Sequence, residues 1–351
     1  MHELSYYSPD YLTARQKFRK LAQQKGGTLL ALPVNERRGL YIDVALWQST
    51  SDTLLLHTSG LHGVEAFPGS AVQCAFLDSW EPDQLKGNSL VLIHCINPFG
   101  MQYLRRWNAD NVDLNRNFLF QFNSLPPNPA YHNISSFLNP STVLKLSAFN
   151  LKALRLLTRH RFSKLQQAVA QGQYTEPAGI FYGGNQQTIE GACLLQFFQE
   201  QCAHYQHIRG IDFHTGLGTY GRSSFYLEAD FSEEDCQRME VLLDAPMIHV
   251  QPGKKQSYQT QGGFIAFLKQ LMASSDMLMA TQEIGTVGPI KILKALREEN
   301  FAYHYALDQQ PQAGEAVKRA FSPENDRWKT QAVQDGVRAL FRLIHASRRW
   351  E

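Results

Sequence analysis

Short apolar runs, each bounded by turn-forming residues and trailed by a polar cluster, recur along this chain. Thr53-Leu54-Leu55-Leu56 leads to His57-Thr58-Ser59-Gly60-Leu61-His62-Gly63-Val64-Glu65. Leu90-Val91-Leu92-Ile93 is followed, after a connecting stretch, by Arg105-Arg106-Trp107-Asn108 and Asp113-Leu114-Asn115-Arg116-Asn117-Phe118. Ile208 opens Gly210-Ile211-Asp212-Phe213-His214-Thr215-Gly216, and Met277-Leu278-Met279 opens Gln282-Glu283-Ile284-Gly285-Thr286. Runs of this length between turn formers predict buried strands. Helical spacing predicts a helix over 9–24, ended by Gly26-Gly27. Thr28–Val34 and Leu40–Trp47 predict a strand pair, followed by strands at Thr53–His57 and Ser89–Ile96 with a helix Ala66–Ser79 between them. Residues 97–140, rich in Asn, Pro and Phe, predict a long ordered loop. Helices are expected over 141–171, 187–206, 232–243 and 263–272, and through most of 289–349. Strands are expected at 208–213, 223–229, near Ile248 and at Met277–Glu283, and the Gly-rich stretch 172–184 reads as turns.

Strands alternating with helices predict an α/β fold: a mixed, mostly parallel central sheet flanked by helices. The 351 residues read as a single domain, 1–351, with a loop-and-helix insertion around 120–185. In such sheets ligands sit beyond the carboxyl ends of the strands, where these polar clusters fall. A net charge of +2 gives no reason to expect a nucleic-acid partner. No apolar stretch reaches the roughly 18 residues of a membrane span, and the first twenty residues do not read as a secretory leader. The five cysteines are widely spaced and lack a Cys-x-x-Cys pair, which suits reduced thiols in a cytoplasmic protein.

His62 and Glu65, three residues apart at a strand-to-helix junction, can turn toward one point. Imidazole and carboxylate are ordinary zinc ligands. Alone, His-x-x-Glu is commonplace. His214, at a strand end before a glycine-rich exit, supplies a third ligand and makes the set chemically complete. Glu283, a carboxylate ending an apolar strand, suits a general base. Arg106 and Arg116, among several asparagines, suit the binding of a carboxylate through planar guanidinium forks. Together these residues suggest a metal-assisted hydrolase.

The same strings carry a resemblance. His-Gly-Val-Glu, Asp-Asn-Val-Asp-Leu-Asn-Arg-Asn-Phe, Gly-Gln-Tyr, Phe-Tyr-Gly-Gly, Asp-Phe-His-Thr-Gly-Leu-Gly and Glu-Ile-Gly-Thr occur here in that order. They resemble a bacterial domain-of-unknown-function branch of the zinc carboxypeptidase superfamily, from about Gly39 to about Asn300. The resemblance implies one zinc ion on His62, Glu65 and His214, and Glu283 as base. It implies Arg106 as the oxyanion donor, Asn115 and Arg116 as holders of the substrate carboxylate, and Asp113 as the partner orienting His62. Tyr258 is the candidate for the mobile substrate-contacting tyrosine. The Asp-x-His-Thr string is also similar to the aspartoacylase and succinylglutamate desuccinylase group. The expected activity is therefore hydrolysis of an amide next to a free carboxylate, in a peptide or small molecule. An N-acyl amino acid deacylase is the alternative, and a non-catalytic binding protein on this scaffold is the less favoured one.

Overall fold

The computed structural model of the protein describes residues 2–143, 167–250 and 261–346. Its frame is a mixed sheet of eight strands among these residues, ordered β1-β2-β4-β3-β5-β8-β6-β7. The strands are β1 (Thr28–Asn35), β2 (Leu40–Trp47), β3 (Thr53–Ser59), β4 (Ser89–His94), β5 (His207–Gly216), β6 (Ser223–Leu227), β7 (Met247–His249) and β8 (Asp276–Gly285). The four central strands, β4, β3, β5 and β8, run parallel. Antiparallel pairs β1–β2, β2–β4 and β6–β8 extend the sheet on either side. Buried on both faces, the central strands need the continuous Leu, Ile, Val and Met runs that the sequence supplies.

The longer helices are α1 (Tyr11–Gln24), α2 (Ala66–Ser79), α3 (Ile189–Gln201), α4 (Glu233–Leu243), α5 (Phe264–Leu271), α6 (Pro289–Tyr305), α7 (Gln310–Phe321) and α8 (Asp326–Ala346). Several begin where a side chain satisfies the free amides of the first turn. Asp10 accepts from Thr13 N–H at 2.8 Å, Thr188 from Gly191 N–H at 3.2 Å, and Ser232 forms a reciprocal box with Asp235. Helix α1 buries Tyr11, Ala14, Phe18 and Ala22 at helical spacing. Helix α2 is buried almost all round, because it lies on β3, β4 and β5 beneath α1 and α8. Successive strand residues point to opposite faces. Gln282 donates to the Asp335 carbonyl on α8 at 3.2 Å, so α8 covers the face opposite Glu283.

Most expected elements fall where the pattern places them. Strands β5 and β8 run further than their apolar cores, to Gly216 and Gly285, because pairing between them carries on through polar residues. The loop 97–140 contains short helical turns at Pro98–Gln102, Leu114–Arg116, Pro129–His132 and Ser135–Leu138. Most of the expected helix 141–171 lies outside the described residues.

Strand β3 is the switch point of the sheet. The chain leaves it through α2 to reach β4 on one side, while β5 lies on the other. The connections after β3 and β5 thus diverge and open a crevice at their carboxyl ends, where α/β sheets bind ligands.

Candidate metal centre

Three buried side chains meet in that crevice. One ligand atom each from His62, Glu65 and His214 lies within 4.8 Å of the others. His62 and Glu65 ride on the turn joining β3 to α2. That turn is pinned to the next strand's exit, where Gly63 N–H and Val64 N–H donate to the carbonyls of Arg106 and Arg105, each at 3.1 Å. The approach requires glycine. A Cβ on Gly63 would sit 2.2 Å from the Gly100 backbone and 2.5 Å from the Arg105 carbonyl oxygen. His214 comes from β5, and its neighbour Thr215 donates its N–H to Glu65 Oε2 at 2.9 Å.

Both imidazoles use their nitrogens in the same way. Nδ1 of His62 lies 2.9 Å from Glu65 Oε1, and Nδ1 of His214 lies 3.1 Å from Glu65 Oε2. Each outer Nε2 faces an aspartate: Asp113 at 3.3 Å from His62, Asp212 at 2.6 Å from His214. Asp212 is in turn held by the Thr58 hydroxyl at 2.6 Å. A carboxylate on the outer nitrogen fixes the proton there and leaves the inner nitrogen's lone pair for a metal. The donor set is two imidazoles and a carboxylate, with two aspartates behind them, and it fits a zinc ion. Asp113 lies beside His62, the residue it was expected to orient. Asp212 was not assigned this role, although an Asp-x-His pair in a strand places both side chains on one face.

The electrostatics are those of a compressed charge cluster. Burial works against the charge on Glu65, yet His62 and His214 hold its carboxyl well below the ordinary carboxylate range. Burial likewise opposes charging of His214, but Asp212 and Glu65 raise its pKa well above the ordinary value. Asp113, despite its burial, is held low by Arg106, His62 and Arg116.

Glu283 lies directly across the sheet from His214, as its register partner in β8. It accepts a hydrogen bond from Leu217 N–H at 3.2 Å. Burial, with the Glu65 carboxylate adding, pushes its pKa up to about 8 against the opposing pull of His214. Arg106 enters from the exit of β4. Its Nε donates to Asp113 at 3.1 Å and Nη1 to Glu65 at 3.2 Å, while Nη2 lies 2.6 Å from Nε2 of His62. Arg106 and Asp113 thus compete for one nitrogen. The tautomer that frees Nδ1 of His62 for a metal puts the proton on Nε2, where Asp113 accepts it, and releases Arg106 from that contact. Phe181 and Phe321 flank the guanidinium, with centroids 5.5 and 5.8 Å from its carbon. Phe321 ends α7, a contribution from the C-terminal helices that no motif signalled.

Asn115 accepts from Phe264 N–H at 3.0 Å. Arg116 is 4% exposed; its Nη1 donates to the Asn115 carbonyl at 2.7 Å and its Nη2 to that of Ala170. The Gly-Gln-Tyr string packs against it, while the Phe-Tyr-Gly-Gly string holds the residues before it, the Tyr182 carbonyl accepting from Asp113 N–H at 2.7 Å. The Tyr174 hydroxyl donates to the Arg116 carbonyl at 2.7 Å, and a Cβ on Gly172 would press on the Arg116 side chain. Three other asparagines of the loop serve the scaffold. Asn108 donates to Glu190, Asn111 to the carbonyls of Pro177 and Gly179, and Asn117 to those of Gly183 and Gln186. Tyr258 lies outside the described residues.

The model of the family described as "Protein of unknown function (DUF2817)" matches residues 7–335. The chain belongs to this family. No curated protein matches the sequence. Among solved structures, this DUF2817 protein resembles bovine thrombin-activatable fibrinolysis inhibitor in complex with tick carboxypeptidase inhibitor. The TM-score is 0.56 at 11% identity, over 98% of each chain. A metallo-carboxypeptidase from Burkholderia cenocepacia gives a TM-score of 0.52 at 8% identity, covering 96% of this chain and 69% of that one. Carboxypeptidase A from Helicoverpa armigera gives 0.51 at 14% identity, covering 95% and 73%. At such identities the likeness is one of fold: the DUF2817 chain has the α/β architecture of the metallocarboxypeptidases.

Proposed function

We propose that this protein is a zinc-dependent hydrolase of carboxypeptidase type that cleaves an amide bond next to a free carboxylate. The observation that carries the reading is the pair of buried histidines. Both direct Nδ1 at Glu65 and both are backed by an aspartate, with Glu283 across the strand pair. A zinc ion held by His62, Glu65 and His214 would supply Lewis acidity at the scissile carbonyl and acidify the attacking water.

The protein's own residues do the rest. Asp113 and Asp212 hold the histidine protons on Nε2. Glu283 takes a proton from the attacking water and delivers it to the leaving nitrogen. Burial, with Glu65 beside it, keeps its pKa high, and a nearby dication would draw it back toward the range in which a base is ionised at neutral pH. Arg106, released from His62, donates to the oxygen on which charge develops. Asn115 and Arg116 hold the substrate's carboxylate.

The test is Glu283→Gln, which keeps shape and removes the basic oxygen. The purified variant is expected to bind zinc as the wild type does. It should lose ~10²–10⁴-fold in turnover on a panel of peptides with free carboxyl ends and N-acyl amino acids. Near wild-type turnover with the metal in place would remove Glu283 from the mechanism, and the panel's preferred member separates peptidase from deacylase.

A further inference from the structure

On the face of the sheet opposite Glu283, a groove of about 340 Å³ runs between β6 and α8. Arg222, Arg338 and Arg342 line it, with Asp335 as the single acidic lining residue. Phe225, Ala245, Pro246, Ile248 and Ala339 form an apolar wall. Three guanidiniums around one groove repel one another, and the local ion pairs do little to offset this. Arg338, 55% exposed, pairs at 2.8 Å on its own helix with Asp335, which is 10% exposed, and so offsets at most one of the three charges. Arg342 pairs at 3.3 Å with Asp244, which is 87% exposed; exposed pairs of this kind contribute little. The Arg222 side chain has no partner among the described residues.

The floor is also prepared for a ligand. Ser223 Oγ lies 3.0 Å from Gln282 Nε2 and accepts from it. An amide nitrogen can only donate, so the serine keeps its own proton to offer to an acceptor. Ser223 and Ser224 are the register partners of Ile284 and Glu283, which sets the groove one strand away from the candidate base.

We propose that this groove is a second binding site, for a small organic anion carrying two negative charges on an apolar body. Arg222, Arg338 and Arg342 would meet the charges, Ser223 would donate from the floor, and the Phe225–Ile248 wall would take the apolar part. The proposal does not depend on the hydrolase reading. 1-Naphthyl phosphate is a suitable probe, titrated by calorimetry into the full-length protein with neutral 1-naphthol and inorganic phosphate as comparators. Saturable 1:1 binding is expected for the naphthyl phosphate, with weaker binding of phosphate and none of naphthol. The double variant Arg222→Ala/Arg338→Ala should bind ~10-fold or more weakly, since charge-assisted hydrogen bonds are lost. Ser223→Ala, which leaves every charge in place, should weaken binding by a smaller factor. Equal binding of naphthol would overturn the proposal, as would unchanged affinity in both variants. Binding that survives the double variant but is lost in Arg116→Ala would place the anion in the crevice instead and overturn it equally.

Discussion

Asp212 and His214 sit two residues apart on one strand, so both side chains project from the same face and the carboxylate can hold the imidazole from behind. Replacing Asp212 by Asn keeps the size but permits the amide to flip and releases the fixed tautomer. Losing an outer partner of this kind typically costs ~10–100-fold in metal affinity. Asp212→Asn is therefore expected to weaken zinc binding by that factor in a competitive chelator titration, and, because it also breaks the buried pair with His214 at 2.6 Å, to lower the melting temperature of the metal-free protein. Arg116 poses a different question, because its guanidinium is buried and donates to two main-chain carbonyls. If it also grips a substrate carboxylate, Arg116→Ala should raise KM ~10-fold or more for acids and leave amidated analogues nearly unaffected. Equal losses on both would mark it as a brace for the 170–184 stretch.

At the scale of elements, the junction between β3 and α2 bears the tightest constraint. Gly63 packs backbone to backbone against Gly100, and a methyl group there would overlap both it and the Arg105 carbonyl. Gly63→Ala is expected to destabilise the fold by at least ~2 kcal/mol and, by splaying His62 from Glu65, to weaken metal binding as well; thermal melts with and without zinc read both. The elements themselves were largely legible in the chain. The central strands are apolar runs because both faces are covered, and α2 follows from the same burial. The candidate ligand residues stand out in the chain because each ends or follows such a run. What stayed hidden depends on contacts far apart in sequence. Phe321 reaches Arg106 from a helix more than two hundred residues later, and no local pattern announces it. Nor does composition say which asparagines face a ligand and which tie loops together; Asn108, Asn111 and Asn117 turned out to be ties.

Across the whole molecule, burial of ionisable groups sets how stability responds to pH. His57 and His94 are fully enclosed, with Gln73 3.1 Å from one and Ser70 2.9 Å from the other. Burial lowers both from the ordinary 6.5 to about 4. In the unfolded chain they take up protons below about pH 6.5, so their contribution is complete above that value and is lost as pH falls toward 4. Glu190 runs the other way. Burial raises it from 4.5 to about 7, so stability falls as pH rises from 4.5 through 7. Each group shifts stability by on the order of 3 kcal/mol. Urea denaturation across this range should show Glu190→Gln flattening the decline on the alkaline side, with the acid-side loss retained; an unchanged profile would show that Glu190 is not the group responsible.

The crevice at the switch of the sheet also dictates when in the life of the chain it can exist. His62 and Glu65 leave the ribosome before their partner on β5, which is separated from Glu65 by 149 positions. During synthesis the first two can offer an ion only a loose, two-armed hold, open to exchange with any competing chelator in the cell. A third arm arrives only when β5 slots in beside β3, a long-range pairing that forms slowly. On the proposed reading, secure metallation is thus a late event that marks a finished molecule, and an ion bound then would hold the two halves of the sheet together against reopening.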